Sequence, residues 1–437
     1  MSTQPQLNIG YLILLYFLNL NVQCTLADQH KHFLGMRTPY RYVSNNTFGK
    51  IDYDDCKPEK LWMIVRHGTR QPSLKNIVAM KERLPQIKKL LINNSNLPNE
   101  YVRATDLESF HKWESQLKLE DEHKLAHEGE EEMLLLAERM QSRFPVLDNV
   151  YSNSSFQFKY TYSQRTKESA YNFVSGLFGR ATAKDVWFPE PSEKDPILRF
   201  YKSCTKWKYN VKDKVKYSGE HKKFENSSEF IKVVENVNHR LGLKDELKTD
   251  DVSLIYVTCG FETAWKTQTE SPWCLLLTEE NLKVLEYRED LKYYWQDGYG
   301  YELTYKQACP MFGNMINMFQ KNSSLPRSVV YFTHSGTLLK MLAHLGLYKD
   351  EQVLTSENFR AMDNRQWRTS QIDAFGTNLA FVLYDCRQEK MVLTLHQEHI
   401  VRLPSCPDSD LCELKTLVEY YSESINSCDF NHICENS

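Results

Sequence analysis

Residues Leu61 to Pro72 read LWMIVRHGTRQP, an apolar run that ends in Arg66, His67, Gly68, Thr69 and Arg70. These residue types in this order suit phosphoryl transfer. A neutral imidazole nitrogen can attack phosphorus and give a phosphohistidine that water later hydrolyses. Arginine suits the flanks of such a nucleophile, because its planar fork binds phosphate bidentately and stays charged at any working pH. Gly68 removes a side chain where the backbone would approach a phosphate, and the turn after it can aim amides at the anion. Two further groups complete a pocket: Arg165, in Gln164-Arg165-Thr166-Lys167, and His334, directly after Val329–Thr333 (VVYFT). As an imidazolium, His334 would be a fourth donor and would favour activity on the acid side of neutrality.

Those residues have to be positioned by strands. A short, continuous apolar run such as Leu61–Val65 predicts a parallel strand covered on both faces. Phe156–Ser163 (FQFKYTYS) and Val329–Thr333 are the second and third strand-like runs, and each leads into a chemical residue. Helical patterns follow. Ala170, Phe173, Val174, Leu177 and Phe178 recur at helical spacing, with Gly179 as a stop. Leu338, Leu339, Met341, Leu342 and Leu345 do the same, with Ser335 at the start and Gly346 as a C-terminal cap. Strand–turn–helix units of this kind predict an α/β fold with a doubly wound, mainly parallel sheet whose strand ends meet in one crevice. The expected core takes in residues of about 50–73, 145–205 and 320–405. Two insertions, about 74–144 and 206–319, are helical in pattern and are expected to cap it, with the aromatic stretch Tyr287–Tyr301 packing cap against core. A cysteine-rich tail covers about 406–437.

The N-terminal residues 1–27 read as a signal peptide, with an apolar Ile9–Val22 too short for a confident membrane span and a small-residue cleavage pattern at Thr25-Leu26-Ala27. Cleavage there removes Cys24 and leaves ten cysteines, an even count that suggests disulfides of undetermined pairing. No CxxC spacing supports zinc, and no metal or cofactor is expected. Sequons at Asn45, Asn93, Asn153, Asn226 and Asn322 fit glycosylated surface loops. Together these features predict the secretory pathway, in the extracellular space or the endoplasmic reticulum lumen, without membrane association. A net charge of −3 shows no basic excess for nucleic acid, so an anionic substrate has to be held by a local cluster of cations.

The RHGTRQP stretch, the later Gln-Arg-Thr-x-x-Ser-Ala stretch and the second strand-end histidine resemble the histidine acid phosphatase superfamily. More narrowly, SPWCLLLTEE (Ser271–Glu280), LEYREDLKYYWQDGYGYEL (Leu285–Leu303), FTHSGTLLKMLAHLGLYKD (Phe332–Asp350) and GTNLAFVLYDC (Gly376–Cys386) are similar to the multiple inositol polyphosphate phosphatases. The resemblance implies an α/β core with a helical cap and a metal-independent phosphohistidine mechanism. It implies small-molecule substrates such as inositol hexakisphosphate, lower inositol phosphates and 2,3-bisphosphoglycerate. It also implies that Arg66, His67, Arg70, Arg165 and His334 are the phosphate-binding set.

One departure matters. In the inositol polyphosphate branch the strand-end histidine is followed by Ala-Glu, and that Glu protonates the leaving oxygen; in the acid phosphatase and phytase branches Asp follows directly. Here the residues are Ser335, Gly336 and Thr337. Loss of a general acid costs on the order of 10²–10⁴ in rate for a poor leaving group. The proton donor is therefore unknown from sequence, with a Ser335 or Thr337 relay and Glu262 as the alternatives to examine. Two readings follow: a secreted phosphatase acting on inositol polyphosphates with His67 as nucleophile, or a non-catalytic or very slow binder of polyphosphorylated ligands.

Overall fold

The structure is a computed structural model that describes residues 32–265, 270–321, 323 and 325–435. Its centre is the strand β1 (Cys56–Arg66), whose last six residues are fully buried. Alternation splits those side chains between two cores: Trp62 and Ile64 face one, and Leu61, Met63 and Val65 face the other. Burial of each such side chain contributes about 1.5–3 kcal/mol, so the run has no stable place except the middle of the sheet.

Strands β2 (Phe156–Tyr160), β3 (Ser328–Thr333), β4 (Asn378–Cys386), β5 (Glu389–His396), β6 (His399–Ile400) and β7 (Leu411–Glu413) complete a sheet in the order β2-β3-β1-β4-β5-β6, with β7 also on β5. β2, β3 and β1 are parallel, and Phe332 is level with both Tyr160 and Val65. The carboxyl ends of the three predicted strands therefore meet at one place. β4 runs antiparallel to β1, pairing Asn378 with Val65, so the residues just before β4 arrive at that same end. β5, β6 and β7 extend the antiparallel flank.

The helices that matter here are α1 (Leu74–Asn93), α2 (His127–Arg143), α3 (Gln164–Thr182), α4 (Thr249–Trp265), α5 (Glu279–Asp297), α6 (Cys309–Gln320) and α7 (Ser335–His344). α3 breaks at Gly179 and α7 is followed by Gly346, both with positive φ, as the sequence pattern predicts. α2 and α3 cover one face of the sheet, where Met133, Leu136 and Met140 join Phe173, Val174, Phe332 and Val65. α2 was expected in the cap and instead belongs to this layer, because its apolar stripe meets the sheet and α3 directly. α6 likewise packs on the opposite face, where its Asn314 accepts from the Trp62 indole at 3.0 Å. The aromatic stretch is packing: Tyr287 lies against Phe224 and Phe359, and Tyr294 and Tyr299 against Trp367.

All ten cysteines among the described residues pair, as Cys56–Cys386, Cys204–Cys434, Cys259–Cys274, Cys309–Cys428 and Cys406–Cys412. Asn93, Asn153 and Asn226 are exposed, and Asn45 is half-buried. The expected signal peptide and Asn322 lie outside the described residues. No described helix is long and apolar enough to cross a membrane.

Candidate active site

β1 carries Arg66 and His67 to its carboxyl end, where the His67 amide donates to the Thr333 carbonyl at 3.1 Å. The chain then turns under tight clamps. The Gly68 amide donates to Ser169 Oγ on α3, and the Thr69 amide and hydroxyl both donate to the Glu132 carboxylate on α2, at 2.7 and 2.8 Å. Sequence reasoning assigned Gly68 to phosphate approach, but a different neighbour excludes a side chain here. A Cβ on Gly68 would lie 2.4 Å from the Gly129 carbonyl oxygen, and one on Gly129 would lie 2.2 Å from that of Thr69. Two glycines let α2 dock directly on the loop.

The His67 ring is buried, and its Nδ1 lies 2.9 Å from the Gly68 carbonyl oxygen. A carbonyl only accepts, so Nδ1 carries the proton and Nε2 keeps its lone pair. Burial, then Arg165, Arg66, His334 and Arg70, hold the His67 pKa well below the ordinary histidine value. The ring is neutral, as a nucleophile requires.

His334 stands at the end of β3 with its ring 5.6 Å from that of His67. Its Nδ1 faces the Arg165 guanidinium at 3.3 Å, and its Nε2 faces Thr161 Oγ1 at 2.8 Å. Because Arg165 only donates, the ring proton sits on Nε2 and is given to Thr161. Thr161 lies in the turn between β2, which ends at Tyr160, and α3. The expectation of an imidazolium is corrected: burial and then Arg165, Arg199, Arg70 and Arg66 push His334 well below its ordinary pKa, so the protein's own groups keep it neutral.

The guanidiniums crowd one another. Burial, Arg165 and Arg66 push Arg70 down to about 9, and burial and Arg199 push Arg165 down to about 10. Nε of Arg66, Arg165 and Arg199 has no hydrogen-bond partner among the described residues. Arg66 is fixed by the carbonyls of Asp373 and Met36 and lies over the Phe375 ring at 4.8 Å; Arg70 lies over Phe261. The cluster is a preorganised receptor for an anion with several oxygens. No group of three or more His, Cys, Asp or Glu among the described residues could hold a metal.

Residues 59–403 match the Histidine phosphatase superfamily (branch 2). Over 399 residues the chain is 33% identical to Multiple inositol polyphosphate phosphatase 1 of Drosophila melanogaster, covering 88% of this chain and 84% of that protein. The chain belongs to the histidine phosphatase superfamily and, within it, to the multiple inositol polyphosphate phosphatase family. It is 30% identical to the Gallus gallus protein of the same name, over 87% of this chain and 85% of that one. This histidine phosphatase shares its fold with the phytase from D. castellii (TM-score 0.75, 16% identity, 93% of this chain and 88% of that chain). It shares it also with Bifidobacterium longum multiple inositol polyphosphate phosphatase, crystallised with inositol hexasulfate (TM-score 0.66, 14% identity, 88% and 96% covered).

The structure brings Arg66, His67, Arg70, Arg165 and His334 together at one end of the sheet. The donor alternatives fare differently. Glu262 takes hydrogen bonds from Trp113 Nε1 at 2.7 Å and Ser271 Oγ at 2.6 Å, so its carboxylate points into the cap. Thr337 gives its hydroxyl proton to the Leu198 carbonyl at 2.8 Å. A Cβ on Gly336 would lie 3.3 Å from Asp297 Oδ1 and 3.7 Å from Lys340 Nζ, so a buried Asp297–Lys340 ion pair occupies the space beside this position. Sequence reasoning missed Arg199, Phe375 and Asp373. Asp373 lies three residues before the GTNLAFVLYDC segment, and an isolated acid in a loop carries no local signal of its own.

Proposed function

We propose that this chain is a secreted phosphomonoesterase that removes phosphates from inositol polyphosphates through a phosphohistidine on His67. One observation carries the mechanism. The Gly68 carbonyl fixes the His67 tautomer with Nε2 unprotonated, inside a cluster of three arginines that repel one another until an anion joins them. The Nε2 lone pair attacks phosphorus in line, the bond to the leaving oxygen breaks, and the leaving oxygen takes a proton. Arg66, Arg70 and Arg165 hold the equatorial oxygens. A phosphate dianion offsets much of the positive field around His334, which eases protonation of its ring. Water then cleaves the phosphohistidine. The substrate class follows from the names of the relatives and from the cationic pocket, and the paired cysteines and exposed sequons support an oxidising compartment.

The test is a single turnover with labelled inositol hexakisphosphate between about pH 4 and 8, quenched in base to preserve phosphohistidine. Label on His67, absent in His67→Ala, is the expected result. Tight binding with neither phosphoenzyme nor released phosphate would overturn the enzymatic reading in favour of a binder. Label passing to an added acceptor instead of water would point to a mutase.

A further inference from the structure

The carboxyls and hydroxyls around the site differ in what their partners allow. Both oxygens of Asp297 accept, from the Lys340 ammonium and the Gln296 amide, which only donate. Glu289 likewise receives the Arg37 guanidinium and the Met36 amide. Asp373 is different. One oxygen meets the Ser335 hydroxyl, which can give or accept a proton, and Oδ1 has no hydrogen-bond partner among the described residues, lying 3.6 Å from Arg66 NH1. Asp373 is completely buried, whereas Ser335 keeps 9% of its surface accessible and is the residue next to His334.

We infer that Asp373 and Ser335 form the proton-delivery pair of this phosphatase, with Ser335 touching the leaving oxygen and Asp373 supplying the proton behind it. The inference rests on the phosphohistidine reading above. As the P–O bond to the alcohol breaks and the His67 Nε2–P bond forms, the Ser335 hydroxyl proton passes to the leaving oxygen. The Asp373 carboxyl proton passes to Ser335 Oγ, leaving a carboxylate. In the second half the carboxylate takes a proton from the attacking water through Ser335, as the O–P bond forms and the N–P bond breaks. Asp373 is thereby reprotonated and His67 is neutral again.

The surroundings suit that role. Burial pushes the Asp373 pKa up to about 7, and Asp297 and Glu289 on α5 add to the rise; Arg66 on β1 and the Ser335 hydrogen bond on α7 oppose it. The carboxyl is therefore protonated on the acid side of neutrality, where a general acid is needed. The pairing also explains how a chain with Gly336 and Ser335 after its second histidine can protonate an alkoxide. The carboxyl comes from the loop before β4, which the antiparallel register sets against β1.

The experiment compares kcat/KM for p-nitrophenyl phosphate, phenyl phosphate and inositol phosphates in wild type, Asp373→Asn and Ser335→Ala, with circular dichroism to confirm folding. Both variants should lose about 10²–10⁴-fold on inositol phosphates and less than about tenfold on p-nitrophenyl phosphate, whose leaving group needs no acid. Asp373→Asn should also abolish the fall in kcat/KM for inositol phosphates above about pH 7. Equal losses on all three substrates would show that Asp373 only positions Arg66. Unchanged rates would place the donor elsewhere, and either result overturns the inference. If Asp373→Asn does not fold, Ser335→Ala alone decides by the same criterion. Failure of the phosphohistidine reading is separate, since His67→Ala would then still cleave p-nitrophenyl phosphate.

Discussion

Gly68→Ala tests whether the catalytic loop is positioned by the docking of α2. The added Cβ would sit 2.4 Å from the Gly129 carbonyl oxygen, against an ordinary contact that begins at 3.4 Å. Loop and helix must therefore separate by roughly 1 Å, an overpacking that costs about 1–3 kcal/mol. On the reading that His67 attacks phosphorus, the same displacement moves its Nε2 off line, because the loop between the backbone bonds of His67 to Thr333 and of Thr69 to Ala126 has to shift. A misplacement of about 1 Å in a catalytic group costs on the order of 10²-fold in rate. Turnover of p-nitrophenyl phosphate and the urea midpoint are the two readouts. Gly129→Ala supplies the decisive comparison, since its Cβ would meet the Thr69 carbonyl oxygen at 2.2 Å from the helix side of the same contact. Both variants should lose activity and stability together. Loss in Gly68→Ala with full activity in Gly129→Ala would refute the docking argument and restore phosphate approach as the reason for the glycine.

Three further outcomes are expected. Arg165 is the strongest charged neighbour depressing both His67 and His334, so Arg165→Ala should raise both pKa values and move the acid limb of the kcat/KM profile to higher pH; an unmoved limb would deny the electrostatic coupling. Lys340→Met leaves the buried Asp297 without its cation and should cost about 3–5 kcal/mol, while Lys340→Met with Asp297→Leu should recover most of that, as read by denaturant unfolding. Asp373 carries a raised pKa in the fold, so its contribution to stability is full below the ordinary carboxylate range and is lost as pH rises through about 7. Asp373→Asn should therefore match wild type in stability near pH 4 and exceed it near pH 8, and a variant less stable at both would contradict the assignment.

The parts of this site legible in the sequence are those written locally. Leu61–Val65 and Val329–Thr333 are apolar runs that only a buried strand accommodates, and the residue that follows each has to emerge at a strand end. Gly179 and Gly346 mark helix stops through a backbone preference that belongs to single residues. What stayed hidden depends on distant partners. The amphipathic stripe of His127–Arg143 fits a sheet face as well as a cap, so only the register of β1 and β3 decides its layer. The reason for Gly68 resides in Gly129, and the tautomer of His334 resides in Thr161 and Arg165. Asp373 is the extreme case, since nothing near it in the chain distinguishes it from a solvated loop acid.

The two halves of the sheet divide the chemistry. On the phosphohistidine reading, phosphorus attack needs several cations around one nucleophile, and the level ends of the parallel strands bring them together as Arg66 and Arg70 from β1 and the turn after it and Arg165 from the start of α3. Protonation of the leaving group needs one carboxyl within a relay of that cluster, and it need not come from those strands. The antiparallel pairing of Asn378 with Val65 brings the loop before β4 to the same crevice, where Gly376 N donates to the His67 carbonyl at 3.2 Å and Arg66 N donates to that of Thr377 at 2.7 Å. That loop carries Asp373, which is buried beside Arg66, and burial raises its pKa to about 7. On the proton delivery proposed above, a serine after the second histidine would suffice, because its hydroxyl can hand on a proton that it does not have to hold. Position 336 is thereby freed for glycine, beside the Asp297–Lys340 pair that a glutamate at this point would disturb.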